Sequence, residues 1–345
     1  MAEKRRTFIK EIALGTFSLG LGGAGLLKAE SIKKTSDISM VSFLPGTDRR
    51  QLIYDVMKPF EKEIEAGIKN KQVVIKTNCV WHGNPLCATH PDAIKGVLDF
   101  LKPIYDKTVI IGESTASPNG TDFCFEEYGY KPIEKEFNCR LVDLNTDKWT
   151  NLWITDGKGH PLDVKIINTF LNPDNYIISL ARMKTHNCVV TTLAFKNMIM
   201  GSPLNLTQGM PGFIQNQYEK GKMHSGDVNG INYNMYLIAH KVRPDFSVID
   251  GFESMEGNGP NNGTPLEHKI ALAGTDVVSV DRIGSELMGV NYEDIGFLQW
   301  CANAGFGQGN KEKIKIIGPD PSKYVIKYKM NENIDWQLGW KKTKS

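Results

Sequence analysis

Short apolar runs recur along this chain, and amphipathic helical patterns lie between them. The runs are Val73-Val74-Ile75, Val109-Ile110-Ile111, Leu141-Val142, Tyr176 to Leu180, Phe246 to Ile249, Ile270 to Ala273 and Ile314 to Ile317. A strand covered on both faces reads as a continuous apolar run rather than an alternation. Leu52, Val56, Phe60 and Ile64 recur at intervals of four, as one face of a helix requires. Pro91 opens a second helical stretch with Ile94, Val97, Leu98 and Leu101, and proline suits a first helical turn. Ile231, Met235, Ile238 and Val242 mark a third helix, and a fourth begins near Asp276. This order predicts an α/β fold, a mostly parallel sheet flanked by helices. Residues 153–168 depart from it. Leu162, Val164 and Ile166 alternate after the turn Asp156-Gly157-Lys158-Gly159, which reads as a β-hairpin insertion or a second lobe.

The 345 residues divide unequally. Residues 5–10 read Arg-Arg-Thr-Phe-Ile-Lys, ahead of an apolar, glycine-rich stretch from Ile12 to Leu27. This resembles a twin-arginine signal, so residues 1–29 are expected to be a signal peptide read by the twin-arginine export machinery. The protein would then be exported and periplasmic, or membrane-anchored if the signal stays uncleaved. The bland alternative is a basic N-terminus followed by an apolar helix. Residues 30–45 read as a polar linker, and residues 46–345 as the α/β domain. Without residues 1–29 the chain has 36 basic and 37 acidic residues, a balance that gives no electrostatic footprint for nucleic acid.

Four strands are expected to run into polar loops at their carboxyl ends, the edge where open α/β sheets bind ligands. They supply Lys76-Thr77-Asn78, Glu113, Lys184-Thr185-His186 and the stretch Asp250 to Pro260. Lys184 and His186 are two apart and would project together from extended chain, able to hold an oxyanion or to set a base beside a cation. The segment Thr191 to Met200 is helical in pattern and apolar on nearly every face, with Lys196 and Asn197 its strongly polar interior residues. A buried ammonium there needs an anionic partner or a shifted pKa, unless its stem lies flat and its head reaches water.

The expected roles follow from residue type. Lys184, His186 and Lys196 are the candidate catalytic groups. Lys76, Asn78, Asn197, Gly257, Asn258 and Gly259 are candidates for holding a substrate or anion, the glycines because backbone can approach a ligand there. Asp250, Glu256, His90 and Glu113 could hold a divalent metal through hard or borderline donors. Asp276 reads as a helix N-cap, and the segment around His224 and Asp227 as a mobile flap. No nucleotide-binding glycine motif, zincin motif or nucleophile elbow is present in the sequence.

Lys76-Thr77-Asn78, His90-Pro91, Lys184-Thr185-His186, Leu193-Ala194-Phe195-Lys196-Asn197, Gly201, Asp250-Gly251, Met255 to Pro260, Gly274-Thr275-Asp276 and Asp281 together resemble the family catalogued as domain of unknown function 362. The resemblance spans roughly residues 70–290 and implies a fold and a site location rather than a reaction. It also brings in an iron–sulfur association, since some members carry a ferredoxin module. The six cysteines here include no C-x-x-C pair, so that module is absent from the sequence. Three readings result: an exported enzyme with a metal- or anion-dependent site acting on a small anionic ligand; a non-catalytic binder of a metal or anion; and an electron-transfer accessory using Cys79, Cys87 and Cys188.

Overall fold

A computed structural model of the chain describes residues 38–206 and 219–343. The expected signal peptide of residues 1–29 and the first part of the 30–45 segment lie outside them. Within the described residues, no helix is long and apolar enough to cross a membrane.

The strands are β1 (Ser39–Pro45), β2 (Gln72–Lys76), β3 (Val109–Glu113), β4 (Cys139–Asp143), β5 (Trp149–Thr155), β6 (Pro161–Ile167), β7 (Asn175–Thr185), β8 (Thr191–Thr192), β9 (Phe246–Asn258), β10 (Asn262–Gly274) and β11 (Ile314–Ile317). The main sheet has the order β11-β1-β10-β9-β7-β2-β3-β4, and β8 pairs with β7 off that path. From β4 to β9 every neighbouring pair is parallel. β10 runs against β9 and β1, and β11 runs parallel to β1. The fold is α/β with a mostly parallel sheet, as the sequence pattern implies.

Helices α1 (Arg49–Met57), α2 (Glu61–Ile68), α3 (Pro91–Leu101), α4 (Thr121–Glu127) and α5 (Ile133–Glu136) precede β4, and α6 (Ala194–Gly201), α7 (Glu219–Lys222), α8 (Val228–Ala239), α9 (Val277–Leu287), α10 (Gly296–Asn303) and α11 (Ile334–Gln337) follow β7. Successive strand residues point to opposite faces, and this splits the core in two. Val73, Ile75, Ile178 and Val248 pack against Ile53, Val56, Ile64, Ile94 and Val97 of α1 to α3. Val74, Ile177, Ile249 and Leu272 pack against Phe195, Met198, Met235, Ile238, Val280 and Ile283 of α6, α8 and α9. Strands buried on both sides explain why their sequences carry no polar alternation.

Three expectations change. The residues 39–45 placed in a linker form β1, between β10 and β11. Its buried Val41 and Phe43 are interleaved with Ser39 and Ser42, so no continuous apolar run announces it. Residues 182–185 and 250–258 are strand rather than loop, because β7 and β9 stay paired through their polar ends. The 153–168 hairpin is an insertion and not a second lobe: Ile154, Val164 and Ile166 join the same core as α6 and α8.

Chain order sets the position of the site. From β2 the chain proceeds outward through β3 and β4, whereas β7, β9 and β10 extend the other way. The order therefore reverses between β2 and β7. In open α/β sheets such a reversal leaves a crevice at the strand carboxyl ends. Lys76 ends β2, and Lys184 and Thr185 end β7.

Candidate functional site

After β7 the chain turns back through His186 to Val190, adds β8, and enters α6. Asp281 of α9 receives the first amides of α6, from Ala194 at 2.9 Å and Phe195 at 3.0 Å. A carboxylate at a helix N-terminus satisfies donors that the helix itself leaves unpaired. The next turn of α6 presents Lys196 and Asn197 to the crevice. Asn197 Nδ2 donates to Ser179 Oγ at 3.0 Å and to the Lys76 carbonyl at 3.3 Å. Its Oδ1 accepts from Asn78 Nδ2 at 3.1 Å and from Lys76 Nζ at 3.3 Å. Lys76, Asn78 and Asn197 thus form one hydrogen-bonded unit. Gly201 closes α6 where a Cβ would lie 2.4 Å from Lys76 Cε, so the helix approaches Lys76 only with glycine there.

Four buried lysines lie near the ends of β2 and β7, Lys184 on the α1 face and Lys76, Lys196 and Lys220 on the α6 side, and three have acceptors. Lys76 Nζ donates to Glu113 Oε1 at 2.7 Å and to the Thr77 carbonyl. Lys184 Nζ donates to the Cys87 carbonyl at 3.1 Å. Lys220 of α7 donates to Ser114 Oγ at 3.0 Å and to the Met200 carbonyl at 3.1 Å. The Lys196 ammonium has neither a hydrogen-bond acceptor nor a carboxylate within ion-pair distance among the described residues, although the residue is only 6% exposed. Burial removes water from these ammonium groups and lowers their pKa values. Lys184 falls to about 7, Lys196 to about 8 and Lys220 to about 7. The neighbouring positive charge of Lys76 lowers Lys196 and Lys220 further, and that of Lys196 lowers Lys184 and Lys220. Against these four cations stand the Glu113 carboxylate and, at longer range from Lys220, Asp143.

Two histidines lie within electrostatic range of Lys196. His186 is buried, and burial together with the charge of Lys196 holds its pKa well below the usual value. Its Nδ1 accepts the Cys188 amide at 3.0 Å, which assigns the ring proton of the neutral form to Nε2. His224 has the opposite arrangement. Its Nδ1 donates to the Lys220 carbonyl at 3.0 Å, leaving Nε2 as the acceptor. Burial and Lys196 keep it neutral as well. The turn bearing His186 is fixed from the far end of the chain. Gln337 of α11 donates to the His186 carbonyl at 2.9 Å and accepts the Val190 amide at 2.6 Å. Val190 has φ of +67°, a left-handed conformation unfavourable for a β-branched residue.

Lys184 leaves the α1 face of β7 toward the Cys87 carbonyl, whereas Lys76, Asn78 and Asn197 bond to one another on the α6 side, with Lys196 and His186 within electrostatic range of each other. The other expected residues lie elsewhere. Lys184 pairs with Met255 across β7 and β9, so the two share a face, and Glu256 points to the opposite one. Glu256 accepts the Lys329 amide at 2.8 Å. Glu113 is the counter-ion of Lys76. Asp250 lies 3.4 Å from Arg49 Nε, and His90 caps α3 by accepting the Asp92 amide at 3.1 Å. These four candidate metal ligands occupy separate places. Among the described residues no three His, Cys, Asp or Glu side chains are grouped to hold a metal ion, so Cys79, Cys87 and Cys188 form no such group either. The glycine-rich stretch also faces elsewhere. Gly257 accepts from Thr185 Oγ1 and donates to the Lys329 carbonyl, Asn258 bonds to Glu332, and a Cβ at Gly259 would lie 2.2 Å from the Thr185 carbonyl. These residues buttress the end of β7.

Sequence reading missed Lys220, His224, Asp281 and Gln337 as parts of the site. Asp281 stood only within the family pattern. Lys220 and His224 lie in a polar stretch without periodicity, and nothing local ties Gln337 to a turn near residue 190. Asp276 does cap α9, accepting the Ser279 amide at 3.0 Å.

A thylakoid-associated protein of Synechocystis is similar to this chain, 24% identical over 221 residues, and the match spans 63% of each protein. The chain thus spans under two thirds of that relative's length. A Thermotoga maritima protein of known crystal structure matches over 76% of this chain and 59% of its own, with a TM-score of 0.39 and 15% identity. The model of a family described as a domain of unknown function, DUF362, matches residues 73–286, more than half of the chain, and the chain belongs to that family.

Proposed function

We propose that the protein is an enzyme acting on a small anionic molecule, held at the crevice between β2 and β7. The anion would offset the positive charge of Lys76 and Lys220, and Lys196, His186 and His224 would act on it. One observation carries this reading: Lys196 is only 6% exposed, feels the like charge of Lys76 and has no acceptor among the described residues, while its Nζ is not sealed off from an incoming ligand. An unpaired buried ammonium is costly, and an incoming anion removes that cost. Perturbed pKa values around one crevice are a common property of catalytic groups. The Arg-Arg-Thr-Phe-Ile-Lys stretch supports export as part of the same proposal, testable by fractionating cells that express the full chain.

Isothermal titration with sulfate, phosphate and pyruvate near pH 7 tests the site. Saturable binding is expected, with proton uptake seen as a dependence of the heat on buffer ionisation enthalpy. Lys196→Met should weaken it by about tenfold or more, since each 1.4 kcal/mol is a factor of ten. Absence of binding by all three anions would defeat the reading.

A further inference from the structure

We propose that the substrate carries a carbonyl group beside its anionic group, and that the Lys196 amine condenses with that carbonyl to form an imine. The inference rests on the anion site just described and specifies its chemistry.

An imine-forming lysine must be desolvated, free of acceptors that hold its lone pair as an ammonium, and placed between a proton donor and a proton acceptor. Of the four buried lysines, Lys76, Lys184 and Lys220 are each held by acceptors. Lys196 has none among the described residues. Its pKa of about 8 leaves part of it as the free amine near neutrality. The two neutral histidines that sense its charge present different functions, an Nε2–H on His186 and an Nε2 lone pair on His224.

The steps balance without a further reactant. The amine nitrogen adds to the carbonyl carbon, and the carbonyl π pair passes to oxygen. That oxygen takes a proton from solvent, with the His186 Nε2–H as the proposed hydrogen-bond donor to the developing charge. The nitrogen gives up a proton toward His224. The resulting hydroxyl leaves as water with the proton returned from His224, and the nitrogen lone pair completes the C=N bond of a protonated imine. One molecule of water is released and nothing is oxidised or reduced. Lys76 and Lys220 hold the anionic group, so a neutral ketone would lack the contact that brings the carbonyl to Lys196.

The test is reductive trapping on the full chain. Protein is incubated with pyruvate, with dihydroxyacetone phosphate or with acetone, reduced with sodium cyanoborohydride, and mapped by peptide mass spectrometry. A carboxylate-bearing and a phosphate-bearing probe distinguish the two sources of the anionic group. An adduct on Lys196 is expected with at least one anionic carbonyl, about tenfold above acetone at equal concentration. Lys196→Arg keeps the positive charge and should keep sulfate binding while losing the adduct. No adduct, an adduct on Lys184 or Lys220, or one that persists in Lys196→Arg would overturn the inference. Sulfate binding by the wild-type protein in those cases leaves the anion site standing, whereas its absence removes both.

Discussion

Two clusters of buried cations lie on opposite faces of the same sheet, and they are built differently. On the α1 side, Arg49 and Arg182 face Asp250 and Glu253. Arg49 lies 3.4 Å from Asp250 and 3.9 Å from Glu253, and Arg182 lies 3.8 Å from Glu253. Arg182 also donates to the Pro85 carbonyl at 3.0 Å, and the Arg49 guanidinium lies over the Phe252 ring. Two cations meet two carboxylates, and the charges balance. On the α6 side Lys76, Lys196 and Lys220 meet one carboxylate in contact, whereas Lys184 shares the α1 side with Arg182, donates to the Cys87 carbonyl and has a pKa lowered to about 7. Balanced burial holds a fold together. Unbalanced burial stores a demand for something outside the chain, and the comparison therefore locates function on the α6 face.

The comparison breaks first, and by the largest amount, if charge removal has the same effect on both faces. Asp250→Ala leaves two guanidinium groups facing the exposed Glu253 alone. Stability in urea should fall by about 3–5 kcal/mol, the range for breaking a buried pair. Lys196→Met removes a charge that lacks a counter-ion, and its ligand-free stability should stay level or rise by about 1 kcal/mol. Equal losses in the two variants would mean that Lys196 is compensated after all.

A pH series sharpens the contrast. Lys184, Lys196 and Lys220 have folded pKa values of about 7, 8 and 7 against an ordinary 10.5. Between those values the unfolded chain binds more protons, so stability rises with pH. Asp281 works in the opposite sense. Burial raises its carboxyl from 3.8 to about 8, so its contribution falls as pH rises through that interval. Above pH 8 the lysines are opposed by Cys79, Cys87, Cys139, Cys188 and Cys301, whose thiols burial raises above the ordinary 9.0, so that the folded chain keeps protons the unfolded chain loses. The lysine contribution is read as a difference: from pH 8 to 10 the ligand-free wild type should gain stability relative to Lys196→Met, by on the order of 1 kcal/mol per pH unit. A saturating anion should flatten that rise by restoring the ammonium forms. Chemical denaturation with and without sulfate would show a flat profile if the lysines are already neutralised.

The smallest effect concerns the support of the site. Gln337→Ala removes two hydrogen bonds from the turn that carries His186. It should lower stability by about 1–3 kcal/mol and weaken anion binding less than Lys196→Met does. A loss of binding larger than that of Lys196→Met would shift weight from charge to positioning.

The sequence made some of this legible and hid the rest for physical reasons. Val73 to Ile75 and Val109 to Ile111 are continuous apolar runs because helices cover both sides of the sheet, so the parallel strands could be read directly. Lys76, Lys184 and Lys196 could be found because each breaks an apolar context. Glu256 was misplaced because β9 continues through polar residues, and strand alternation then decides its face. The pairing of β1 with β11, and of Gln337 with the turn at His186, depends on contacts across most of the chain that no local pattern records.

The Gln337 clamp has a practical consequence. The match to the family ends at residue 286, yet the turn that carries His186 is braced from residue 337. A fragment trimmed to the family boundaries would keep every lysine of the crevice and lose the brace that sets the histidine beside them. Inactivity in such a fragment would speak to its missing tail, not to the chemistry of the site.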